Sequence, residues 1–162
     1  MNPFGFFSFV FSYPTEETIK VIAACAQTGR PSCGRRCAEA LGNVDLEELQ
    51  AEYTRLFINA YPTLLCPPYE SFYREGTVYG TTAGVVRDLY KDHGFDYVYE
   101  GEPPDLLSVE LDFLAMTDDG AFRERLKEWV FDFTERVKKN SEVYGVCAGE
   151  LEKLLAAEVM PV

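Results

Sequence analysis

The stretch from Leu106 to Met116 constrains this chain more than any other. Leu106, Leu107, Val109, Leu111, Phe113, Leu114 and Met116 place apolar side chains on nearly every side of one helix. A helix of that kind cannot lie on a surface, so other helices have to enclose it. The rest of the chain supplies them. Thr15 is an N-cap ahead of Ile19, Ile22, Ala23 and Ala26 at helical spacing, and Gly29 and Pro31 stop that helix. Residues 32–41 predict a short helix carrying Arg35 and Arg36. Asp45 caps a helix striped by Leu46, Leu49, Tyr53, Leu56 and Phe57. Further helices are predicted from Thr82 to Gly94, through Phe122, Leu126, Trp129, Val130, Phe133 and Val137 as one long element, and over about 142–158. Strand alternation of useful length is missing. The expected fold is all-α: a single-domain helical bundle of about six to eight helices, spanning the 162 residues.

Charge narrows the partners. Fifteen Lys and Arg against 27 Asp and Glu give a net charge of −12, which repels phosphate backbones and argues against nucleic acid. It favours basic partners instead. The first eleven residues, with Phe4, Phe6, Phe7, Phe9, Val10 and Phe11, have the look of a signal-peptide core. No Lys or Arg precedes them, however, and Tyr13-Pro14 leads straight into a helix start. The run is also too short to span a bilayer, so stable membrane insertion is not expected. The reading preferred here is a first helix or hook whose aromatics plug the core.

Histidine and cysteine chemistry is sparse. His93 is the one histidine, at the end of its helix, where the helix dipole suits it. The five cysteines, at 25, 33, 37, 66 and 147, are odd in number and contain no CxxC, which fits a reducing cytoplasmic compartment. Cys33 and Cys37 are four apart, half of a zinc site at most, and read more simply as small buried thiols. No phosphate-binding glycine loop, GxSxG or HExxH is present. No cofactor and no enzymatic activity are expected.

Two loops stand out. Tyr61 to Tyr73, YPTLLCPPYESFY, holds three prolines and cannot be a continuous helix, yet it is too apolar for an ordinary surface loop. Residues 95–104, FDYVYEGEPP, are similar in character. Between them they offer Pro68, Tyr69, Glu70, Ser71, Tyr73 and Pro104, and Asp105 directly follows the second. Asp105 has a plainer reading as an N-cap. Glu110 shares a face with Leu106, Leu107, Phe113 and Leu114. A carboxylate there needs a partner, either inside the bundle or on a ligand.

Four segments resemble the TorD/DmsD/NarJ family of redox-enzyme maturation chaperones. Glu52-Tyr53-Thr54-Arg55-Leu56-Phe57 resembles the family's E-Y-x-x-L-F signature, and Pro67-Pro68-Tyr69-Glu70-Ser71-Phe72-Tyr73 its P-P-[WY]-x-S-x-Y loop. Pro103-Pro104-Asp105 with Glu110-Leu111-Asp112-Phe113-Leu114 resembles its P-D-H-…-E-L-x-F-M segment, with Leu106 where the histidine commonly stands. Phe7 to Pro14 is similar to the family's first helix. The resemblance implies a cytoplasmic, all-helical, non-enzymatic chaperone. Its partner would be a molybdopterin-containing oxidoreductase subunit or that subunit's twin-arginine signal peptide, held until the cofactor is inserted. It admits a homodimer by helix exchange.

On that reading the partner-binding residues are Tyr53, Phe57, Pro68, Tyr69, Glu70, Ser71, Tyr73, Pro104, Asp105 and Glu110, carboxylates beside an aromatic groove for paired guanidinium groups. A helical adaptor unrelated to redox enzymes, or a carboxylate-based hydrolase, is the alternative.

Overall fold

A computed structural model describes residues 2–28, 34–98 and 101–157. Among them lie ten α-helices and no strand longer than an isolated bridge. They are α1 (Pro3–Val10), α2 (Glu16–Gln27), α3 (Arg35–Gly42), α4 (Leu46–Tyr53), α5 (Glu70–Glu75), α6 (Thr81–Asp92), α7 (Leu107–Thr117), α8 (Gly120–Lys127), α9 (Val130–Asn140) and α10 (Val143–Ala156). The all-α class is as the sequence implies. The helices are shorter and more numerous because two segments divide differently from their periodicity.

The first division is α8 from α9, read above as one helix. No proline or glycine separates them. Trp129 leaves the helical path with φ −127° and is buried, with its ring stacked on Tyr73 at 5.5 Å. Tertiary packing of one large ring outweighs the local helical preference of the segment. The second is α5, a short helix inside the proline-rich loop, closed by Gly76 in the left-handed region at φ 79°. Cys33, read above as sharing a helix face with Cys37, lies outside the described residues.

The termini of the helices follow from their sequence. Thr15 and Thr18 form a reciprocal capping box on α2. Asn2 accepts from the Phe4 amide at the start of α1, and Asp119 accepts from the Ala121 and Phe122 amides at the start of α8. Asp45 precedes α4 without a side-chain cap bond.

The aromatic amino end is an internal plug. Phe4, Phe6, Phe7, Val10 and Phe11 are buried, α1 packs along α7, and the Ser8 hydroxyl donates to the Ser108 carbonyl at 2.7 Å. The all-round apolar α7 is enclosed as its sequence demands, apart from the exposed Asp112 and Met116. Five contiguous residues after α4, Thr54–Ile58, form a π-helix, in which the Asn59 amide reaches back to the Thr54 carbonyl at 2.7 Å. This turn explains the odd stripe of α4. Leu56 and Phe57 are adjacent, and both are buried.

Candidate functional site

The two proline-bounded loops meet. Tyr69 and Leu106 form an antiparallel bridge, in which the Leu107 amide donates to the Pro68 carbonyl at 2.8 Å and the Glu70 amide to the Asp105 carbonyl at 3.1 Å. The Asp105 carboxylate then accepts from the Ser71 amide at 2.7 Å. Asp105 therefore caps α5, across 34 residues of sequence, rather than the helix it precedes; α7 begins two residues later without a side-chain cap. The plainer reading of Asp105 was right in kind and wrong in helix. Loop, bridge and cap form one clasp between the 67–71 and 103–107 segments.

Beneath the clasp sit three carboxyl groups. Glu70, Asp105 and Glu110 are each 0% exposed. One oxygen of Glu70 receives two guanidinium groups, Arg74 from the next turn and Arg125 from α8 at 2.7 Å. Arg74 also reaches Glu128 at 2.7 Å. The other Glu70 oxygen, Oδ1 of Asp105 and both oxygens of Glu110 find no N–H or O–H donor among ordinary protein groups.

A proton resolves part of this. Burial, reinforced by the neighbouring Glu70 and Asp105 charges, raises Glu110 well above the usual carboxylate range, and a hydrogen bond joins it to Glu70. Two carboxyl groups can share such a bond only when one carries a proton, and Glu110, which has neither of the guanidinium contacts that Glu70 makes, is the one that keeps it. Three carboxyls then face two guanidiniums with one acid neutral, which limits the charge left unbalanced in the core.

Solvent meets a different set of groups. Tyr69 is half-buried, with its hydroxyl 3.3 Å from Glu102 Oε2. Burial, then the Glu102 carboxylate, push its phenol well above the ordinary tyrosine value. Tyr97 donates to the Glu102 carbonyl at 2.6 Å. On one side of this Tyr97–Glu102 ridge an open groove of about 870 Å³ runs past Tyr79, Arg87, Val98 and Pro104. On the other a smaller one of about 330 Å³ is bounded by Ser8, Leu106, Val109 and Asp112.

The sequence-derived site thus divides by depth. Pro68, Glu70, Ser71, Pro104, Asp105 and Glu110 are gathered at the clasp and buried, with Tyr69 at its outer edge. Tyr53 and Phe57 are buried in the aromatic core, where the Tyr53 hydroxyl donates to the Phe11 carbonyl at 2.9 Å. Tyr73 connects the two regions through the ring series Tyr73–Trp129–Phe133–Phe57–Tyr53, each neighbour within 6.5 Å. Its outer face is covered by the Arg136 guanidinium at 5.9 Å. Glu102, Tyr97 and Tyr79, which line the exposed grooves, were not singled out by residue-level reasoning. The signal available was the aromatic-acidic composition of the 95–104 loop.

Fold and site define a helical scaffold with a clasped, groove-bearing face; among the described residues no three side chains of the metal-ligating types gather to hold an ion. The family model described as nitrate reductase delta subunit matches residues 33–139. The crystal structure of a protein assigned to redox enzyme maturation, from Archaeoglobus fulgidus, superposes with a TM-score of 0.84 at 40% identity, covering 94% of this chain and 91% of that one. No curated protein matches. The chain belongs to the nitrate reductase delta subunit family, the NarJ/TorD-type redox enzyme maturation chaperones. It is a maturation chaperone of a family that is not catalytic. Among the described residues no helix is long and apolar enough to cross a membrane.

Proposed function

We propose that this chaperone works in the cytoplasm on the catalytic subunit of a nitrate-reductase-like, molybdopterin-containing oxidoreductase. It binds that subunit's amino-terminal or twin-arginine signal peptide and holds the subunit until cofactor insertion is complete. The observation that carries this reading is the clasp: the 67–71 and 103–107 segments, which bear the family-like motifs, are bonded into one unit beside open grooves that share Tyr97 and Glu102, with the Tyr69 hydroxyl on Glu102.

Within it the residues divide their work. Tyr69 and Glu102 offer an aromatic plate and an accessible carboxylate to a basic peptide. Pro68 and Pro104 fix the backbone around them. Glu70, Ser71, Asp105 and Glu110 are positioning residues: with no exposed surface, they hold the clasp rather than the peptide. Tyr53, Phe57 and Tyr73 support it through the ring series. The net charge of −12 draws the basic leader in.

Titration calorimetry tests this with twin-arginine leader peptides and with full-length apo catalytic subunits of nitrate-reductase-like enzymes. Binding of at least one at micromolar affinity or better is expected, weakened when the paired arginines become glutamines. Failure of all peptides and all apo-subunits to bind rules the reading out.

A further inference from the structure

Helices α3 and α10 pack against each other, and Cys37 of α3 faces Cys147 of α10. Their sulfur atoms are in direct contact at 2.6 Å, and both residues are 0% exposed. Composition gave no hint of such a pair: the cysteines lie 110 residues apart, and an odd total of five without CxxC suggested only separate thiols. The fold brings Cys37 and Cys147 against each other inside the core.

The contact lies where a cross-link has the most to hold. α3 is an eight-residue helix that buries two apolar side chains, Cys37 and Leu41. It follows the 29–33 segment and packs on α2 as well as α10. α10 also packs on α9 and reaches α1. A bond between Cys37 and Cys147 would therefore tie α3 covalently to the last described helix. It would also close a loop of most of the chain's length, the case in which a cross-link restricts the unfolded chain most. A Cys33–Cys37 bond, by contrast, would close only a short loop and restrict little.

We propose that Cys37 and Cys147 form a structural disulfide that staples α3 to α10 when the protein folds in the presence of a low-molecular-weight disulfide. The step is thiol–disulfide exchange. One cysteine, losing its thiol proton, attacks a sulfur of the external disulfide, forming a mixed disulfide and releasing one small thiol. The second cysteine, also deprotonated, then attacks the protein sulfur of that mixed disulfide, releasing the second small thiol. The protein dithiol is oxidised by two electrons, the external disulfide is reduced to two thiols, and the two cysteine protons leave on them. Because both sulfurs are buried in the folded state, exchange takes place before α3 docks on α10, and the finished bond is shielded from reductant.

The test uses the full chain refolded from guanidinium chloride in glutathione disulfide and reduced glutathione, alkylated under denaturing conditions and digested with trypsin. Cys37 is the sole cysteine in peptide 37–55 and Cys147 the sole one in peptide 140–153, so their linkage has a unique mass. The expected result is that linked pair as the main product, with Cys66 alkylated. A second measurement is thermal unfolding. Prior reduction in denaturant, followed by refolding in excess reductant, should lower Tm by about 5–15 °C. A C37A/C147A variant should unfold at one temperature under both conditions. Free Cys37 and Cys147 after oxidative refolding, or linkage of either to another cysteine, overturns the proposal. So does an oxidised protein no more stable than the reduced one. If the double variant does not fold, the peptide masses of the wild-type protein decide.

Discussion

Glu110 sets the pH response of the core. Its acid form is favoured by burial and by the Glu70 and Asp105 charges beside it, so its value in the folded state is raised above the ordinary 4.5. For such a group the folded state binds the proton more tightly than the unfolded one. Its favourable share of stability is complete below about 4.5 and is lost as pH rises towards the folded-state value. Glu110→Gln keeps the shape and a donor towards Glu70 without the ionisation. The variant is expected to match the wild type near pH 4.5 and to exceed it by a few degrees in Tm at pH 8, read by thermal scans across that range. A gap that stays constant with pH would remove Glu110 as the titrating group. Glu110→Ala should instead destabilise by about 2–4 kcal/mol, through the lost donor and the cavity. His93 contributes at the surface. Its Nδ1 lies 3.0 Å from the Leu89 carbonyl and its Nε2 2.5 Å from Asp119, so both nitrogens face acceptors and the protonated ring can donate to each. The Leu89 carbonyl first, then Asp119, raise its value above 6.5. Its contribution is present below 6.5 and fades as pH rises through the raised value. An NMR titration should place the His93 midpoint above 6.5, and Asp119→Asn should move it down.

At the scale of elements, α5 depends on a residue from another segment. Asp105→Ala removes the cap of the Ser71 amide and leaves buried polar groups unpaired, an expected loss of about 2–3 kcal/mol in urea unfolding. Asp105→Asn, which still offers an oxygen, should lose about 1 kcal/mol or less. Hydrogen exchange should show α5 and the 103–107 segment opening together in the alanine variant. Separate opening would mean the clasp is not one unit. The π-helix makes its own prediction: Leu56→Ala and Phe57→Ala should each destabilise by about 3 kcal/mol, since the turn buries both neighbours. These elements also mark how far the sequence could be read. Thr15 capped its helix, the amino-terminal phenylalanines other than the exposed Phe9 plugged the core and 106–116 was enclosed apart from Asp112 and Met116, because each follows from local chemistry or from helical period. The adjacent Leu56 and Phe57 in one stripe were visible, but the π turn that reconciles them was not, since no residue type specifies it. The break at Trp129 and the capping of α5 by Asp105 depend on partners far along the chain, which periodicity does not contain. The same reason hid the depth of the carboxylates: Glu70 and Asp105 read as loop residues, yet the bridge of Tyr69 to Leu106 folds them inward.

For the whole molecule, depth and charge act on a client in different ways. The −12 charge is spread over the chain and acts at long range, so it governs encounter and weakens with salt. Contacts at the groove edge govern dissociation. A basic leader peptide that binds as proposed should therefore lose affinity several-fold between about 50 and 200 mM salt, mainly through a slower association rate. Tyr69→Ala removes the half-buried ring whose hydroxyl meets Glu102, and Glu102→Gln removes the exposed carboxylate itself. Each is expected to raise Kd about 5- to 20-fold, mainly through faster dissociation, with Tm little changed for Glu102→Gln because its side chain is at the surface. Glu70→Gln should behave differently. It breaks the paired contacts with Arg74 and Arg125 inside the core, so its effect on binding should appear only together with a loss of stability. Stopped-flow binding measured beside thermal unfolding separates the two classes. A Glu70→Gln protein of wild-type stability that no longer binds would move the buried carboxylate from the clasp to the contact surface, and would require the clasp to open when the client arrives.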